Sequence, residues 1–443
     1  MTTIEPPMAA ELALRRRAEQ VSADLCAQDD AWGTSGWTRR KFLTATGLVG
    51  VAALGSQLVT TRSAYAATAS TTQNTLVTIF LRGAADGLRI LAPNSSLLGL
   101  DFLRTVRGPL VPGDAQLLPL AGTTGWAVHH AMQPLVDGLW SSGELAFVPA
   151  VSAGGVNRSH FDAQQLLEKG GLTSYSTGWL DRVLQQLGPG TTFRATGEGY
   201  GAPASFAGDQ PKLVIDSLAD FKFPGWDDIR PASEQAVSAL YRGMTGTLGE
   251  DVPTTVAALA TAATVRAGAG VQNAAVYPAG NFSGALKDLA DVLRAEVGLQ
   301  VATVDVGGWD THTNEVHDLD ALLTAAAQSL AAFMTDLGPT RRSRVTVVVM
   351  TEFGRRVAMN DSGGADHGHG SLIWLLGGGI VGGQVHGNWT PLSAATLADG
   401  DVPGVNNMFD VLGEVVQKRL GVGALSSVFP NHVVNPIGVA TPG

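Results

Sequence analysis

Residues 76–87 read LVTIFLRGAADG, a run of mainly apolar side chains that ends in an arginine and a glycine-rich turn. Six residues without polar alternation are typical of a strand that is buried on both faces, as in a parallel sheet. Similar runs occur at 145–151, 300–306 and 344–350, and helical patterns separate them. Strands that alternate with helices predict an α/β fold, a three-layer sandwich around a mainly parallel central sheet.

The remaining segments complete this pattern. Helical periodicity is found at 132–140, 161–169, 179–187, 319–337 and 408–420, and through most of 233–297 around a loop near 268–280. Short strands are expected at 213–215, 372–376 and 380–385, the last two hairpin-like. Residues 188–232 are rich in glycine, proline and aromatic residues, which predicts an irregular insertion over the sheet edge. No linker stands out after residue 75, so we expect 67–443 to form a single domain.

A different pattern precedes the first strand. Residues 38–43 read TRRKFL, an apolar stretch extends to about residue 59, and Ala-Tyr-Ala follows at 64–66. A basic, an apolar and a small-residue region in this order are typical of a cleavable export signal. The pair Arg39-Arg40 resembles a twin-arginine signal. We therefore expect residues 1–66 to be a twin-arginine signal peptide.

This signal predicts where the protein acts. We expect export by the twin-arginine machinery to the periplasm or the cell exterior, with no stable membrane span after cleavage. The alternative is that the apolar stretch is kept as a membrane anchor. Cleavage after Ala66 removes Cys26, the single cysteine, which excludes a disulfide framework and a cysteine-based metal site. Since this route carries folded proteins, often with a cofactor bound, it favours a metal or cofactor.

Composition narrows the function classes. The chain has 443 residues, of which 45% are apolar and 15% charged, so it can bury a large core and is not disordered. Its net charge of -10 argues against a nucleic-acid partner, because proteins that bind nucleic acids usually carry a basic patch. The glycine-rich run at 377–384 lacks the lysine of a phosphate-binding loop, and the Gly-x-Ser-x-Gly motif of serine hydrolases is absent.

Polar residues are concentrated where the predicted strands end, which is where open α/β sheets bind ligands. The four segments are RGAADG (82–87), GGVNRSHFD (154–162), GGWDTH (307–312), and TEFGR (351–355) with GADHGH (364–369). Carboxylates with imidazoles suit one or two divalent ions, Zn, Mn, Mg or Ca. The candidate metal ligands are Asp86, Asp310, His312, Glu352, Asp366, His367 and His369. Two such ions would clamp the oxygens of a phosphoryl or sulfuryl group.

The segment 154–162 offers catalytic groups. Ser159 at a helix start would be a hydroxyl nucleophile, since a metal lowers the pKa of a hydroxyl, and the helix start favours an anion. Arg158 or Arg82 would neutralise the substrate oxygens. His160 is the alternative site residue beside Ser159. Each feature also has a structural interpretation, because Asp86 can be a turn residue and Ser159 a helix cap. Glu352 can likewise form an ion pair with one of the following arginines.

Together these motifs resemble the DUF1501 family of exported bacterial proteins. The resemblance rests on LRGAADGL (81–88), RSHFD (158–162), GGWDTH (307–312), TEFGR (351–355) and DHGHG (366–370), in this order. That family is of unknown function and is similar to the alkaline phosphatase and sulfatase superfamily. The resemblance implies an alkaline-phosphatase-like fold.

By motif, the resemblance also implies residue roles. Asp86 would be the early metal-binding aspartate and Ser159 the nucleophile. Asp310 with His312, the pair Asp366-His367, and His369 or His386 would complete the metal sites. The gap from Asp310 to His312 is narrower than usual, so His317 is an alternative. Glu352 stands at a strand end where the Asp-His pair usually lies, which makes it a candidate ligand in its own right.

The sequence thus favours a metal-dependent hydrolase of phosphate or sulfate esters that acts on a small-molecule or polymer substrate. The main alternative is a metal-binding, non-catalytic envelope protein with a binding or assembly role on a degenerate form of the same fold. A metal-dependent transferase or mutase, and a structural protein whose polar motifs are turns, remain open as further alternatives.

Overall fold

The computed structural model describes residues 59–60, 73–199, 201–223, 230–241 and 247–443. The predicted signal peptide therefore lies, except for residues 59–60, outside the described residues. The division of the chain into a signal and a single domain stays a prediction.

Thirteen strands and a set of helices make up this part of the chain. The strands are β1 (Val59–Thr60), β2 (Thr75–Leu81), β3 (Leu91–Pro93), β4 (Leu117–Pro119), β5 (Trp126–His129), β6 (Leu145–Ser152), β7 (Ala195–Glu198), β8 (Lys212–Ile215), β9 (Val301–Val306), β10 (Val345–Met350), β11 (Ser371–Gly377), β12 (Gln384–Val385) and β13 (Asn406–Asn407). The longer helices are Leu100–Arg107, His160–Glu168, Trp179–Leu187, Arg230–Tyr241, Thr247–Ala267, Asn281–Arg294, Glu315–Arg342 and Met408–Leu420. Short α-helical turns lie at Gly87–Ile90, Gln133–Leu135 and Leu425–Val428.

The main sheet has the strand order β1-β8-β7-β9-β2-β10-β11-β6-β12, and β13 pairs with β6. All neighbours from β8 to β10 are parallel. β11 is antiparallel to both β10 and β6, so β6 runs in the same direction as β10. The edge strand β1 is antiparallel to β8. The predicted mainly parallel sheet is confirmed, although 371–377 runs against its neighbours.

The central strands form because their side chains are apolar on both faces. In β2, Val77 and Ile79 join one buried cluster, whereas Leu76 and Phe80 join the cluster on the opposite face. Such two-sided burial requires helices above and below the sheet. Helices Asn281–Arg294 and Glu315–Arg342 supply buried leucines to the first cluster. The helices Trp179–Leu187 and Met408–Leu420 cover the other face, which confirms the three-layer sandwich.

Several segments differ from the expected elements. The range 188–232 supplies β7 and β8 to the main sheet. The helix expected at 132–140 is a 3₁₀ turn, a short α-turn and the π-helix Val136–Trp140 in succession. A small antiparallel sheet of β3, β5 and β4 is an addition to the prediction. Its strands have three or four residues, too few for an alternating pattern to be recognised.

No helix in the described part of the chain combines the length and the apolar character that a membrane span needs.

Candidate metal centre

The carboxyl ends of β2, β9 and β10 lie side by side, because the three strands are parallel neighbours. The loops that follow them approach each other very closely. Gly83 has a φ of 122°, and a Cβ there would lie 2.5 Å from the backbone nitrogen of Asp310. Gly354 is similarly enclosed, since a Cβ would overlap with the carbonyl of Gly370. Only glycine permits the close approach of the loops at these two positions. These two contacts bring the predicted site segments together.

Arg355 connects these loops. Its side chain is fully buried, and its guanidinium donates to a carboxylate and four carbonyl groups. The acceptors are Gly83 O (2.6 Å), Ala84 O (2.7 Å), Trp309 O (3.1 Å), Ala365 O (3.0 Å) and Asp310 Oδ1 (2.6 Å). A planar guanidinium with five donors is suited to such a junction, which no lysine would satisfy. Arg355 therefore fixes both the loop arrangement and the orientation of Asp310.

Three imidazoles and one carboxylate meet at this junction. The Nε2 atom of His367 lies 2.9 Å from Nε2 of His160 and 2.8 Å from Nε2 of His312. Asp310 Oδ1 lies 3.1 Å from His312 Nε2 and 3.2 Å from His367 Nε2, and Asp310 Oδ2 lies 3.4 Å from His160 Nε2. His160, Asp310 and His367 in particular bring one ligand atom each within 4.8 Å of one another. These four side chains form the candidate centre.

The other nitrogen of each ring shows which tautomer is present. Nδ1 of His160 faces Glu352 Oε1 at 2.7 Å, Nδ1 of His367 faces the Arg158 carbonyl at 2.9 Å, and Nδ1 of His312 faces Asp366 Oδ1 at 3.2 Å. All three partners are oxygen acceptors, so each Nδ1 carries the hydrogen and donates it. The three Nε2 atoms then present lone pairs to a common point. A shared proton or a cation is needed to stabilise this arrangement.

The donor set fits a divalent transition metal. Neutral imidazoles whose Nδ1–H is bound by a carboxylate or a carbonyl are the usual metal-binding form of histidine. Ligands about 2 Å from a tetrahedral zinc ion are separated by about 3.3 Å, close to the spacings found here. The hydrogen bond to Glu352 raises the pKa of His160 above its ordinary value, whereas burial lowers the pKa of His367. Asp310 is an anionic candidate ligand beside these rings.

Asp310 is held ionised. Burial raises the pKa of Asp310, but the hydrogen bond and charge of Arg355 outweigh burial and lower that pKa below its ordinary value. About half of the side chain remains exposed to solvent, as does that of Asp366. The candidate centre is consequently open to solvent on this side.

Glu352 lies behind His160 rather than among the ligand atoms. Its Oε1 accepts hydrogen bonds from His160 Nδ1, from the Gln164 side chain at 2.9 Å and from the Gly83 backbone at 2.9 Å. Burial raises the pKa of Glu352, but the hydrogen bonds from His160 and Gln164 outweigh burial and lower it. The expected alternative, an ion pair with a following arginine, is not formed with Arg355, which binds Asp310 instead. Glu352 therefore orients the candidate ligand His160.

Asp366 has a similar role toward His312. Its Oδ1 accepts from His312 Nδ1 and from the Asn360 amide at 3.0 Å. The same Asn360 amide also donates to the His312 carbonyl at 2.9 Å. The hydrogen bond from Asn360 is the main cause of the lowered pKa of Asp366. The Asp366-His367 pair therefore contributes one ligand atom and one orienting carboxylate.

Asp86 has other partners. Arg107 donates to both of its oxygens, at 3.0 Å from Oδ1 and 2.6 Å from Oδ2, and the Leu88 backbone donates to Oδ1 at 3.0 Å. Burial raises the pKa of Asp86, but the Arg107 charge and the hydrogen bonds from Glu315 and Arg107 outweigh burial and lower it to about 2. Burial, followed by the charge of Asp86, raises the pKa of Glu315 to about 9. Glu315 is therefore a neutral acid near Asp86 at neutral pH.

The catalytic candidates are placed as follows. Ser159 caps the helix His160–Glu168, and its Oγ accepts from the Asp162 backbone at a long 3.5 Å. Arg158 pairs with Asp401 at 2.6 Å and with Asp399 at 3.2 Å. Arg82 pairs with Glu168 and Asp305. His160, expected as a catalytic alternative to Ser159, lies among the candidate metal ligands.

The other candidate histidines lie apart from the three that converge. His369 lines a small crevice together with Ser152, Asn157, Glu352 and Phe353. His386 Nε2 donates to the Val381 carbonyl at 2.6 Å. His317 is largely exposed and contacts the neighbouring Asp318.

A second group that contains histidines does not show the tautomer pattern of a metal site. His129, His130 and Asp320 also lie close together. However, the Ala131 backbone donates to His129 Nδ1 at 3.3 Å, so neutral His129 carries its hydrogen on Nε2, which faces Asp320 at 3.3 Å. Burial lowers the pKa of His129 to about 4, and Arg89 already neutralises Asp320 at 2.7 Å. The group is a polar contact in which His129 has no free nitrogen lone pair.

Sequence reasoning missed the residues that organise the centre. Arg107, Gln164, Glu315, Arg355 and Asn360 were not expected to have a role there. Arg355 was the easiest of the five to predict, because it lies three residues after Glu352 in a loop that follows a strand and contains other site residues. Nothing in the local sequence of the others indicates which carboxylate each contacts.

Comparison with solved structures retrieves members of the superfamily that the sequence resembles. The zinc complex of the C-terminal periplasmic domain of EcEptC from Escherichia coli is 11% identical, with 69% of this chain and 73% of that chain covered and a TM-score of 0.33. The lipoteichoic acid synthase LtaP from Listeria monocytogenes is 11% identical, with coverages of 80% and 73% and a TM-score of 0.33. The alkaline phosphatase from the Antarctic bacterium TAB5 is 9% identical, with coverages of 69% and 92% and a TM-score of 0.30. Such low scores support no inference about activity.

Sequence comparison gives the stronger result. No curated protein sequence matches the chain. A family model described as a protein of unknown function, DUF1501, matches residues 149–409, which is more than half of the chain. The matched range includes the four converging side chains and their orienting partners Glu352 and Asp366. The resemblance seen in the sequence is thereby confirmed, and the chain belongs to the DUF1501 family.

Proposed function

We propose that the protein is an exported, metal-dependent hydrolase of phosphate or sulfate esters. The observation that carries the proposal is the convergence of three Nε2 lone pairs and the Asp310 carboxylate at the open ends of the strands. His160, His312, His367 and Asp310 would hold the ion. A bound divalent ion would supply Lewis-acid chemistry, which polarises the ester and stabilises the developing charge.

The protein's own groups would bind and orient the ester. The N-terminus of the helix His160–Glu168 has backbone N–H groups that favour an anion, and it lies directly beside the ligand His160. Ser159 directly precedes His160 in the chain and carries a hydroxyl group. The hydrogen bond that its Oγ accepts from the Asp162 backbone is long, at 3.5 Å, and weak enough to be released. We assign Ser159 as the nucleophile and the partly exposed Arg158 as the cation that meets the substrate oxygens. The substrate is a small-molecule or polymer ester.

Export belongs to the same proposal. The twin-arginine signal would carry the folded, metal-loaded protein to the periplasm or the cell exterior. The test is fractionation of cells that produce the full chain, compared with a chain that carries lysines in place of Arg39 and Arg40. Export that persists in the paired-lysine variant would contradict this route.

The enzymatic test uses the full chain loaded in turn with Zn, Mn, Mg and Ca. Aryl phosphate and aryl sulfate esters are screened for hydrolysis, and the active combination is repeated with Ser159→Ala and His367→Ala. Both variants should lose turnover, whereas only His367→Ala should also lose metal. Hydrolysis that survives Ser159→Ala with an unchanged kcat would remove the serine from the mechanism. Hydrolysis that survives loss of the metal would contradict the proposal.

A second candidate function is a metal-binding envelope protein without catalysis. It is favoured by the fact that Ser159 and Arg158 are both engaged within the fold, one as a cap and the other with two aspartates. The same screen distinguishes the two candidates. A full complement of metal, without turnover of any ester, would support the binding protein.

A further inference from the structure

Asp86 would be a metal ligand by family resemblance, but its buried carboxylate is paired with an arginine. Oδ1 accepts from the Leu88 backbone and from Arg107 Nη1. Oδ2 lies 2.6 Å from Arg107 Nη2. Both oxygens of Asp86 therefore face the guanidinium of Arg107.

Charge also opposes a metal ion at this position. The side chains of Asp86, Arg107 and Glu315 are almost completely buried. Arg107 neutralises Asp86, and the buried Arg355 adds a second positive charge that acts on the same carboxylate. A divalent ion placed there would meet two buried guanidinium groups, which is strongly unfavourable. The guanidinium of Arg107 takes the place that a cation would have.

Arg107 is itself fixed in this position. Its Nε donates to the Val357 carbonyl at 3.1 Å and its Nη2 to the Arg356 carbonyl at 3.3 Å. It therefore joins the helix Leu100–Arg107 to the loop that follows β10. The cluster ties this loop to the start of the helix Glu315–Arg342, just after the ligand segment 310–312. Asp86 thus belongs to a buried cluster that connects these segments, with no direct part in metal binding.

We propose that the protein binds a single divalent ion, at His160, His312, His367 and Asp310, and that Arg107 replaces a second ion at Asp86. The inference rests on the proposed function, and it adds the metal stoichiometry.

The experiment is titration of the metal-free full chain with Zn²⁺, followed by native mass spectrometry and isothermal calorimetry. One equivalent is expected for the parent and none for a double variant that carries His312→Gln and Asp310→Asn. Asp86→Asn and Glu315→Gln should both keep one equivalent, with dissociation constants within about two-fold of the parent. The glutamine of Glu315→Gln has an amide N–H that can donate to Asp86. This variant therefore provides the test if Asp86→Asn does not fold.

The outcomes separate the two proposals. Two equivalents in the parent, with one lost in Asp86→Asn, would overturn the single-ion inference and leave the hydrolase proposal standing. No bound ion in the folded parent would overturn both. An affinity loss of ten-fold or more in Glu315→Gln would show that the cluster is part of the metal site, which would also overturn the inference.

Discussion

The replacement Glu352→Gln tests whether the carboxylate behind His160 tunes the metal centre. Glutamine has the same shape and keeps one carbonyl oxygen for His160 Nδ1, so the packing is preserved. What it removes is the negative charge that accepts hydrogen bonds from His160, Gln164 and Gly83. We therefore expect a folded protein with a weaker metal site.

The magnitude follows from the hydrogen bonds. A bond to a charged acceptor contributes about 1.5–3 kcal/mol, compared with about 1 kcal/mol for a neutral pair. Losing the charge at the shortest contact, 2.7 Å to His160, thus weakens the bound form by about 0.5–2 kcal/mol. This corresponds to a roughly 2–30-fold increase in the dissociation constant for the ion.

The assay is a competitive titration of Zn²⁺ against a chromophoric chelator, with the parent and Glu352→Gln side by side. Glu414→Gln is the matched control, because Glu414 is also a buried carboxylate but binds Lys418 and the C-terminal backbone. Thermal unfolding of the metal-free forms checks that both variants fold. The reasoning is refuted if Glu352→Gln binds zinc within two-fold of the parent, or if Glu414→Gln loses as much affinity.

Further predictions concern the scaffold. Since Glu315 keeps its proton up to about pH 9 when folded but releases it near 4.5 when unfolded, the free energy of unfolding should fall with rising pH in this window, by at most about 1.4 kcal/mol per unit. Urea titrations should show this slope reduced in Glu315→Gln. The pKa of His129 is about 4 when folded and 6.5 when unfolded, so its contribution to stability is lost as pH falls from 6.5 to 4. The free energy of unfolding of His129→Gln should therefore depend less on pH between 4 and 6.5. Gly354→Ala should lower thermal stability and metal affinity because its Cβ overlaps with the Gly370 carbonyl, whereas Gly155→Ala, where a Cβ meets nothing, should change neither.

The layers of the fold could be predicted because the central strands are apolar on both faces. The run at 76–81 was expected and 75–81 is found, and the helix at 408–420 has the expected bounds. The short strands β3, β4 and β5 were missed, since three or four residues show no period. The helix Leu100–Arg107 was also missed, and with it the arginine that binds Asp86.

The candidate centre was predicted in part for a similar reason. Asp310, His312 and His367 follow parallel strands, so their proximity was expected from strand direction. The role of His160 was not, because spacing does not show which ring nitrogen faces which neighbour. That depends on the hydrogen bond to Glu352, 192 positions away in the chain. The assignment of Asp86 as a ligand was a prediction from motif alone, and motif carries no information about Arg107.

The contact between His160 and His367 has a further consequence for how the protein resists unfolding. The two rings are 207 positions apart in the chain, and an ion held between them would be a cross-link across nearly half of the sequence. If the signal peptide is removed, no cysteine remains to form a covalent cross-link. Unfolding would have to release the ion, so stability would depend on the free metal concentration, with a gain of about 2.7 kcal/mol at 100 times the dissociation constant. Resistance to proteolysis outside the cell would then depend on the metal supply.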